Sequence, residues 1–296
     1  MPDQNESFRS KPAAVANLKA QEHRARFSFA VMPDRSGNIR QGVFSRIAEQ
    51  VDLMSPDFAV FIGDAIEIYD TPEDADTTEI LNEQWDEFCE ELKPLTRPVF
   101  FVPGWHDYKS EAHAKVYAKR IGPSYYSFDY HGCHFIVLNS YDAYLHNEAS
   151  ADAVWRLGSR QLDWLALDLS THASASHTFV LVHAFYESLE RQEVIDLLGK
   201  RSFDIISGSS HCYRKQDFHG TPYYQLGTAG GYSSLDGPGN GTVDHFMWVT
   251  VEGKHVKIAN VLIDSVLPDD FCTEETASDF VAGEVIISGR MSLWDD

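Results

Sequence analysis

The chain has 296 residues, of which 43% are hydrophobic, and a formal net charge of −21 with an isoelectric point near 4.9. This length fits one large domain or two small ones, and the apolar content supplies a sizeable core. The acidic balance argues against binding to nucleic acid or to an anionic membrane surface, because both need a surface rich in lysine and arginine. We interpret most of the acidic residues as solubilising groups and a minority as metal ligands.

The two ends of the chain differ in composition from its middle. Residues 1–26 form a polar arm without the apolar core of a signal peptide, and no apolar run approaches the roughly 18 residues of a membrane span. We therefore expect a domain over residues 27–265, followed by an acidic tail over residues 266–296. Scattered cysteines without a Cys-x-x-Cys motif favour a cytoplasmic protein with reduced thiols. They are Cys89, Cys133, Cys212 and Cys272.

Apolar runs over residues 27–32, 58–62 and 99–102 predict three buried strands. Helical spacing of apolar residues between these runs predicts helices over residues 44–54 and 85–92. This alternation predicts parallel βαβ units. Two further helices are predicted near residues 112–121 and 161–169. Further strands are predicted at residues 125–130, 134–139, 178–182 and 203–207, and a closing sheet at residues 223–226, 246–251 and 256–262.

Polar side chains suited to chemistry follow several of these strands. The carboxyl ends of strands in an α/β sheet are where such proteins place their sites, so we expect these side chains to lie together. Each one alone has an ordinary interpretation, as a turn former, a helix cap or a packed histidine. Carboxylates and imidazoles together are ligands for divalent first-row metals. The residues are Asp34, Asp64, His106, Asp107, His183 and His211.

The order of these residues resembles the motifs of the calcineurin-like metallophosphoesterases. Those motifs are Asp-x-His, Gly-Asp, Gly-Asn-His-Asp, a lone His and Gly-His-x-His. Here they fall at Asp34-Arg35-Ser36, Gly63-Asp64, Gly104-Trp105-His106-Asp107, His183 and Gly208-Ser209-Ser210-His211. The resemblance covers roughly residues 27–264. It implies a four-layer α/β/β/α sandwich with two mixed sheets packed face to face and helices outside.

The resemblance also implies a mechanism. In that family two divalent ions (Mn, Fe or Zn) share a bridging carboxylate, which here is Asp64, and activate a hydroxide that attacks a phosphoric ester. His106, oriented by Asp107, is expected to serve the leaving-group oxygen as an acid or hydrogen-bond donor. Arg35 is a candidate phosphate contact, and its alternative interpretation is a solvent-exposed turn residue.

Three ligand positions of the family pattern are altered, to Ser36, Trp105 and Ser209. A serine hydroxyl is a poor ligand for a transition metal, and an indole offers no lone pair. By the family assignment, the first metal keeps Asp34, Asp64 and His211. The second keeps only Asp64 and His183, unless Glu67 or His106 moves in. The ligand count therefore predicts one ion rather than two.

Three functions remain open at this point. The first is a metal-dependent phosphatase-like hydrolase with a reduced centre. The second is a catalytically inactive binding or scaffold protein on the same fold, and the third is a single-metal hydrolase of another bond class. The acidic balance favours a small or neutral-bodied phosphate ester over a polyanionic substrate. Long loops often carry specificity, so residues 70–79 and 227–241 are candidates to border the site.

Overall fold

A computed structural model of the protein describes residues 26–67, 77–146, 155–185, 188, 190–218 and 220–273. The predicted arm up to residue 25, the tail from residue 274 onward and residues 70–76 of the acidic segment lie outside the described residues. Within the described ranges, no helix is both long and apolar enough to cross a membrane. All four cysteines fall in these ranges and carry free thiols.

Two mixed sheets of six strands each form the centre of the molecule. The first sheet contains β1 (Arg26–Met32), β2 (Phe58–Phe61), β3 (Val99–Phe101), β10 (His245–Glu252), β11 (His255–Leu262) and β12 (Val266–Pro268). Its strand order is β12-β11-β10-β1-β2-β3. The second contains β4 (Tyr126–Tyr130), β5 (Cys133–Leu138), β6 (His177–Val182), β7 (Phe203–Ser207), β8 (Arg214–Phe218) and β9 (Thr221–Gln225). Its order is β4-β5-β6-β7-β9-β8.

Helices cover the outer faces of both sheets. They are α1 (Val43–Met54), α2 (Thr77–Leu92), α3 (Trp105–Tyr108), α4 (Glu111–Arg120), α5 (Asp142–Leu145), α6 (Ser159–Thr171) and α7 (Arg191–Leu198). One apolar cluster joins α1, α2 and α4 to the first sheet, and another joins α6 and α7 to the second. A third cluster lies between the sheets. The predicted four-layer α/β/β/α sandwich is therefore confirmed.

The layer between the sheets is rich in phenylalanine. Alternate residues of β1 and β2 point into it, so Phe29 stacks on Phe58 with ring centroids 5.2 Å apart, and both rings meet Phe135 of the second sheet edge-on. Phe100 stacks on Phe128 across the same layer at 3.9 Å. Burying each such ring contributes about 1.5–3 kcal/mol, and truncating one to alanine costs about 3–5 kcal/mol.

Parallel pairing brings the polar strand ends to one edge of each sheet. β1, β2 and β3 pair in parallel, as the βαβ pattern predicts, so the residues after each strand emerge on the same side. β5, β6 and β7 are also parallel, which places the residues after β6 and β7 together. The candidate site therefore receives residues from both sheets.

The closing strands depart from the sequence-based expectation. The predicted strand at residues 223–226 corresponds to β9 and lies in the second sheet, whereas the strands predicted at 246–251 and 256–262 are β10 and β11 of the first. β8, an edge strand with the polar sequence RKQDF, was not predicted. Val266–Pro268, expected to begin the acidic tail, forms β12 and pairs with β11. Nonlocal pairing, which local pattern does not encode, decides each of these placements.

Candidate metal centre

Three side chains from the two sheets converge at the edge just described. Asp34 follows β1, Asp64 follows β2 and His183 follows β6, and one potential ligand atom from each lies within 4.8 Å of the others. All three are buried. The polar neighbours of two buried ligand atoms are other candidate ligands: Asp34 Oδ2 lies 2.7 Å from His211 Nε2, and His183 Nε2 lies 3.2 Å from Asp64 Oδ2. Carboxylate oxygens and imidazole nitrogens are the ligands of divalent first-row metals, so the residues present fit a metal ion.

Backbone carbonyl groups orient the two histidines of the site. His183 Nδ1 lies 2.8 Å from the Ile62 carbonyl, and His211 Nδ1 lies 2.7 Å from the Tyr232 carbonyl. Because a carbonyl only accepts, each Nδ1 carries the hydrogen and each Nε2 faces the carboxylates. This is the arrangement that fixes the tautomer of metal-binding histidines in proteins.

His211 stands beside the triad of Asp34, Asp64 and His183 rather than within it. Its Nε2 is 2.7 Å from Asp34 Oδ2, whereas His183 Nε2 is 3.2 Å from Asp64 Oδ2. The sequence assigned Asp34, Asp64 and His211 to one ion, but the structure brings His183 into the tight group. His211 is an additional neighbour of Asp34, so all four predicted ligands border one centre.

The charges of the site perturb its titrating groups. Burial works to lower the pKa of His183, but the adjacent Asp64 carboxylate raises it to about 10. Burial also acts to lower the pKa of His211, but the adjacent Asp34 carboxylate raises it to about 9. Burial acts to raise the pKa of Asp64, and His183 and His106 outweigh it, so this pKa falls below its usual value. The Asp64 carboxylate thus stays ionised, as a metal ligand must be.

Asp107 holds the two site loops together. Its Oδ2 accepts from the backbone N–H groups of Asp64 at 2.8 Å and Gly104 at 2.9 Å, and its Oδ1 accepts from Ala65 at 2.9 Å. Burial and the Asp64 charge raise the pKa of Asp107 to about 7, while these N–H groups act in the opposite direction. Both oxygens are thus used by the backbone, and Asp107 acts here as a positioning residue for the Asp64 loop.

His106 faces the same centre from the start of α3. Its backbone N–H donates to Asp64 Oδ1 at 2.8 Å, and its Nε2 lies 4.0 Å from Asp64 Oδ2. The side chain is partly exposed, at 17%. The ring therefore stands between the carboxylate and the open side of the site, where a substrate oxygen can reach it.

Glycines allow the loops to approach the ligands closely. A Cβ at Gly104 would lie 2.1 Å from Asp64 Oδ1, and one at Gly63 would lie 2.7 Å from His183 Nδ1. Asp64 and His211 themselves adopt the left-handed region, with φ of 59° and 55°. Non-glycine residues rarely adopt this conformation, and it concentrates at functional sites.

The altered ligand positions lie in the same loops. Ser36 is 1% exposed, and its Oγ makes no hydrogen bond, whereas its backbone N–H donates to Asp34 Oδ1 at 2.9 Å. Ser209 has φ of 74° and is partly exposed. Trp105 is partly exposed and packs against the His106 ring at 5.3 Å. A serine hydroxyl is a poor ligand for a transition metal and an indole offers no lone pair, so we do not count these three among the ligands.

The structure contradicts the predicted phosphate contact by Arg35. Its side chain is 1% exposed, and its guanidinium donates to Glu91 at 2.7 Å and to Glu87 at 3.4 Å. It also lies over the rings of Phe44 and Phe88, at 5.8 and 5.5 Å. The guanidinium is neutralised in the helix layer, because residue 35 points to the sheet face opposite to that of Asp34.

The glycine-rich segment over residues 227–241 does border the site. The Ala229 N–H donates to the Asp34 carbonyl at 2.7 Å, and Tyr232 N–H donates to the Ser36 carbonyl at 2.9 Å. Arg40 anchors the segment by donating two hydrogen bonds to the Gly231 carbonyl, at 2.9 and 3.1 Å. The carbonyls of Ile62 and Tyr232 were not predicted as site groups, because main-chain oxygens leave no signal in residue type.

The sequence matches no protein-family model and no curated protein. Among solved structures, this chain is similar to PhoD, with a TM-score of 0.62 and 12% identity over 82% of this chain and 68% of that one. It is also similar to GAP50, the anchor in the inner membrane complex of Plasmodium, with a TM-score of 0.59 and 13% identity. That match covers 86% of this chain and 94% of GAP50. The chain has the calcineurin-like metallophosphoesterase fold that its motifs predict.

Proposed function

We propose that this protein is a metal-dependent phosphoesterase with a single-ion centre. The observation that carries the proposal is the convergence of Asp34, Asp64 and His183, all three of which are buried and present one potential ligand atom within 4.8 Å of the others. Three protein ligands leave further positions for water and substrate, which is the composition of catalytic rather than structural sites. The fold shared with PhoD supports the reaction class.

Each residue of the site has its own role in the proposed ester hydrolysis. Asp34, Asp64 and His183 would hold the ion, with His211 beside Asp34 as a fourth candidate ligand. A bound divalent ion supplies positive charge for the phosphoryl oxygens and acidifies a water molecule. His106 lies on the open side of Asp64 and donates a proton or a hydrogen bond to the leaving-group oxygen.

The proposal of one ion, drawn from Mn, Fe or Zn, depends on the altered positions. An ion on the far side of Asp64 would need ligands from residues 105 and 209, which are Trp105 and Ser209 here. Among the described residues, Glu67 does not belong to the converging ligand group, and its Oε1 accepts from the Ile39 N–H at 3.2 Å in the first-sheet loop. We propose a small phosphate ester as the substrate, since a net charge of −21 repels polyanions.

The test combines metal content with turnover. The purified full chain is analysed by mass spectrometry for metals and assayed on chromogenic phosphate mono- and diesters with Mn²⁺, Fe²⁺ and Zn²⁺. We expect one tightly held ion per chain and a metal-dependent rate that Asp64→Asn lowers by at least about a hundredfold. Asp163→Asn, an exposed position on α6, is the matched control and keeps the rate. Two tightly held ions per chain would contradict the single-ion centre.

The alternative is a protein that retains the fold and binds a partner without catalysis. GAP50, described as an anchor, has a similar fold, and this chain lacks three of the ligand residues of the family pattern. Absence of turnover with every metal favours this alternative. Turnover regained by combining Ser36→His, Trp105→Asn and Ser209→His would identify a decayed catalytic site.

A further inference from the structure

An aromatic side chain stands directly beside the proposed leaving-group donor. Trp105 begins α3, and its ring centroid lies 5.3 Å from that of His106 at an interplanar angle of 80°. His106 Nε2 is in turn 4.0 Å from Asp64 Oδ2. The indole is thus one side chain away from the metal ligands, at the open side of the site.

Tyr141 lies next to Trp105, and Trp155 packs against Tyr141 in turn. Tyr141 is fully buried and lies nearly parallel to the indole, with centroids 6.5 Å apart and planes 27° apart. Trp155 packs edge-on against Tyr141 at 4.6 Å. Lys109 Nζ lies 5.1 Å from the centre of the Trp105 ring. We call Trp105, Tyr141 and Trp155 the aromatic wall.

Burial distinguishes the aromatic wall from ordinary core packing. Tyr141 is inaccessible, whereas Trp105 and Trp155 are both partly exposed. An indole that packs against a neighbouring ring and remains partly exposed to solvent is the usual construction of an aromatic recognition surface. On the His211 side of the site, Tyr232 is 62% exposed, so aromatic surface stands on two sides of the ligand cluster.

We propose that the aromatic wall binds an aromatic or heteroaromatic ring in the alcohol part of the substrate. A ring esterified to phosphate reaches the wall when its ester oxygen meets His106, because Trp105 is the next side chain outward. A ring that stacks on the indole can be neutral, so the net charge of −21 on the protein does not repel it. This inference rests on the proposed phosphoesterase function and specifies its substrate class.

The experiment compares two phosphonates that differ only in the presence of a ring. Binding of phenylphosphonate and methylphosphonate to the full chain with Mn²⁺ is measured by calorimetry, for the wild type and for Trp105→Leu, Trp105→Phe and Trp155→Leu. Trp164→Leu is the matched control, since Trp164 is also partly exposed but packs on Tyr125 and the second-sheet helix layer. Leucine at 105 removes the ring without adding a metal-binding oxygen.

We expect the wild type and the Trp164→Leu control to bind phenylphosphonate about tenfold more tightly than methylphosphonate. Trp105→Leu should lower this ratio to below about threefold, Trp105→Phe should retain most of it, and Trp155→Leu should reduce it partly. Equal binding of the two phosphonates by the wild type would overturn the inference while leaving the phosphoesterase proposal in place. Failure of both phosphonates to bind would overturn both proposals. If Trp105→Leu does not fold, an unchanged ratio in both Trp105→Phe and Trp155→Leu would refute the wall.

Discussion

Two buried charged side chains, Asp107 and Arg35, stabilise the site loops without presenting their charges to a substrate. Asp107 accepts three backbone N–H groups from the loops after β2 and β3. Arg35 pairs with Glu91 and packs between Phe44 and Phe88. A buried charge is tolerated only with such partners. Removing one partner leaves the remaining charge buried and uncompensated, which is strongly destabilising.

Asp107→Asn should therefore destabilise the protein. The amide retains one acceptor oxygen, but its NH₂ group meets a backbone donor, so at least one buried N–H loses its partner. We expect a loss of about 2–4 kcal/mol in the free energy of unfolding, measured by urea denaturation. Asp163→Asn, at an exposed position, should change it by less than about 0.5 kcal/mol. A change of similar size in both variants would show that Asp107 does not tie the loops together.

At the scale of elements, the turns after β2 and β3 are packed so closely that a single methyl group is excluded. A Cβ at Gly104 would overlap Asp64 Oδ1 at 2.1 Å and the Asp64 backbone nitrogen at 2.4 Å. Because the second atom belongs to the backbone, the overlap is not relieved by rotating a side chain. The contact therefore fixes where the Asp64 carboxylate stands relative to α3.

Gly104→Ala is expected to displace the Asp64 carboxylate and weaken metal binding. We expect at least about a tenfold loss of Zn²⁺ affinity in a competition titration and a stability loss of about 1–3 kcal/mol from overpacking. Gly239→Ala is the control, because a Cβ there has no atom within 4 Å. Unchanged affinity in Gly104→Ala would mean that the loop relaxes without moving the ligand.

A second element-scale feature joins α6 to the second sheet. His134 is buried between Asp129 and Asp168, with each ring nitrogen 2.7 Å from a carboxylate oxygen, and it stacks on His172 at 4.0 Å. Ser127 also donates to Asp168 at 2.7 Å. Burial acts to lower the pKa of His134, but its bonds to Asp168 and Asp129 raise it. Because the two imidazole planes are only 15° apart, the rings are poorly placed to share one ion, and we interpret the group as an ion-pair network.

The stability contributed by this network should depend on pH. A raised histidine pKa stabilises the fold fully below the unfolded value of 6.5, and that contribution is lost as the pH rises through the folded value. Burial acts to raise the pKa of Asp168, but the bond to His134 lowers it, so its contribution is present above 3.8 and lost as the pH falls. The difference in unfolding free energy between wild type and His134→Leu should thus be largest between these two values. His255→Leu, at an exposed position, should show no such maximum.

At the scale of the whole molecule, the candidate centre joins the two sheets. Asp34 and Asp64 extend from the first sheet, whereas His183 and His211 extend from the second. At the site, His183 Nδ1 donates to the Ile62 carbonyl across the two halves, and His211 Nε2 lies 2.7 Å from Asp34 Oδ2. An ion bound by both carboxylates and His183 therefore stabilises the packing of one sheet on the other.

Metal binding should accordingly raise the melting temperature. An ion present at a hundredfold excess over its Kd adds about 2.7 kcal/mol, which corresponds to roughly 4–5 °C for a chain of this size. His183→Gln should abolish the shift in differential scanning fluorimetry with Mn²⁺ or Zn²⁺, whereas His255→Gln should retain it. An equal shift in both variants would place the ion elsewhere.

The sequence predicts the strands that carry the site because each is a short apolar run that ends at a polar turn. It predicts less where partners are distant in the chain. β8 was missed because an edge strand of Arg, Lys, Gln and Asp lacks an apolar pattern. The direction of Arg35 and the grouping of His183 with Asp34 depend on how the two sheets pack, which residue type and spacing do not record.

The division of ligands between two sheets has a mechanical consequence. Asp64 and His183 belong to opposite sheets, with Oδ2 and Nε2 3.2 Å apart, and the layer between those sheets contains the rings of Phe100 and Phe128, which stack at 3.9 Å. A substitution in that layer changes the gap that an ion must span, although it touches no ligand. We therefore expect ion affinity to change whenever a core substitution alters the separation of the two sheets, even when the substituted residue lies away from the ligands.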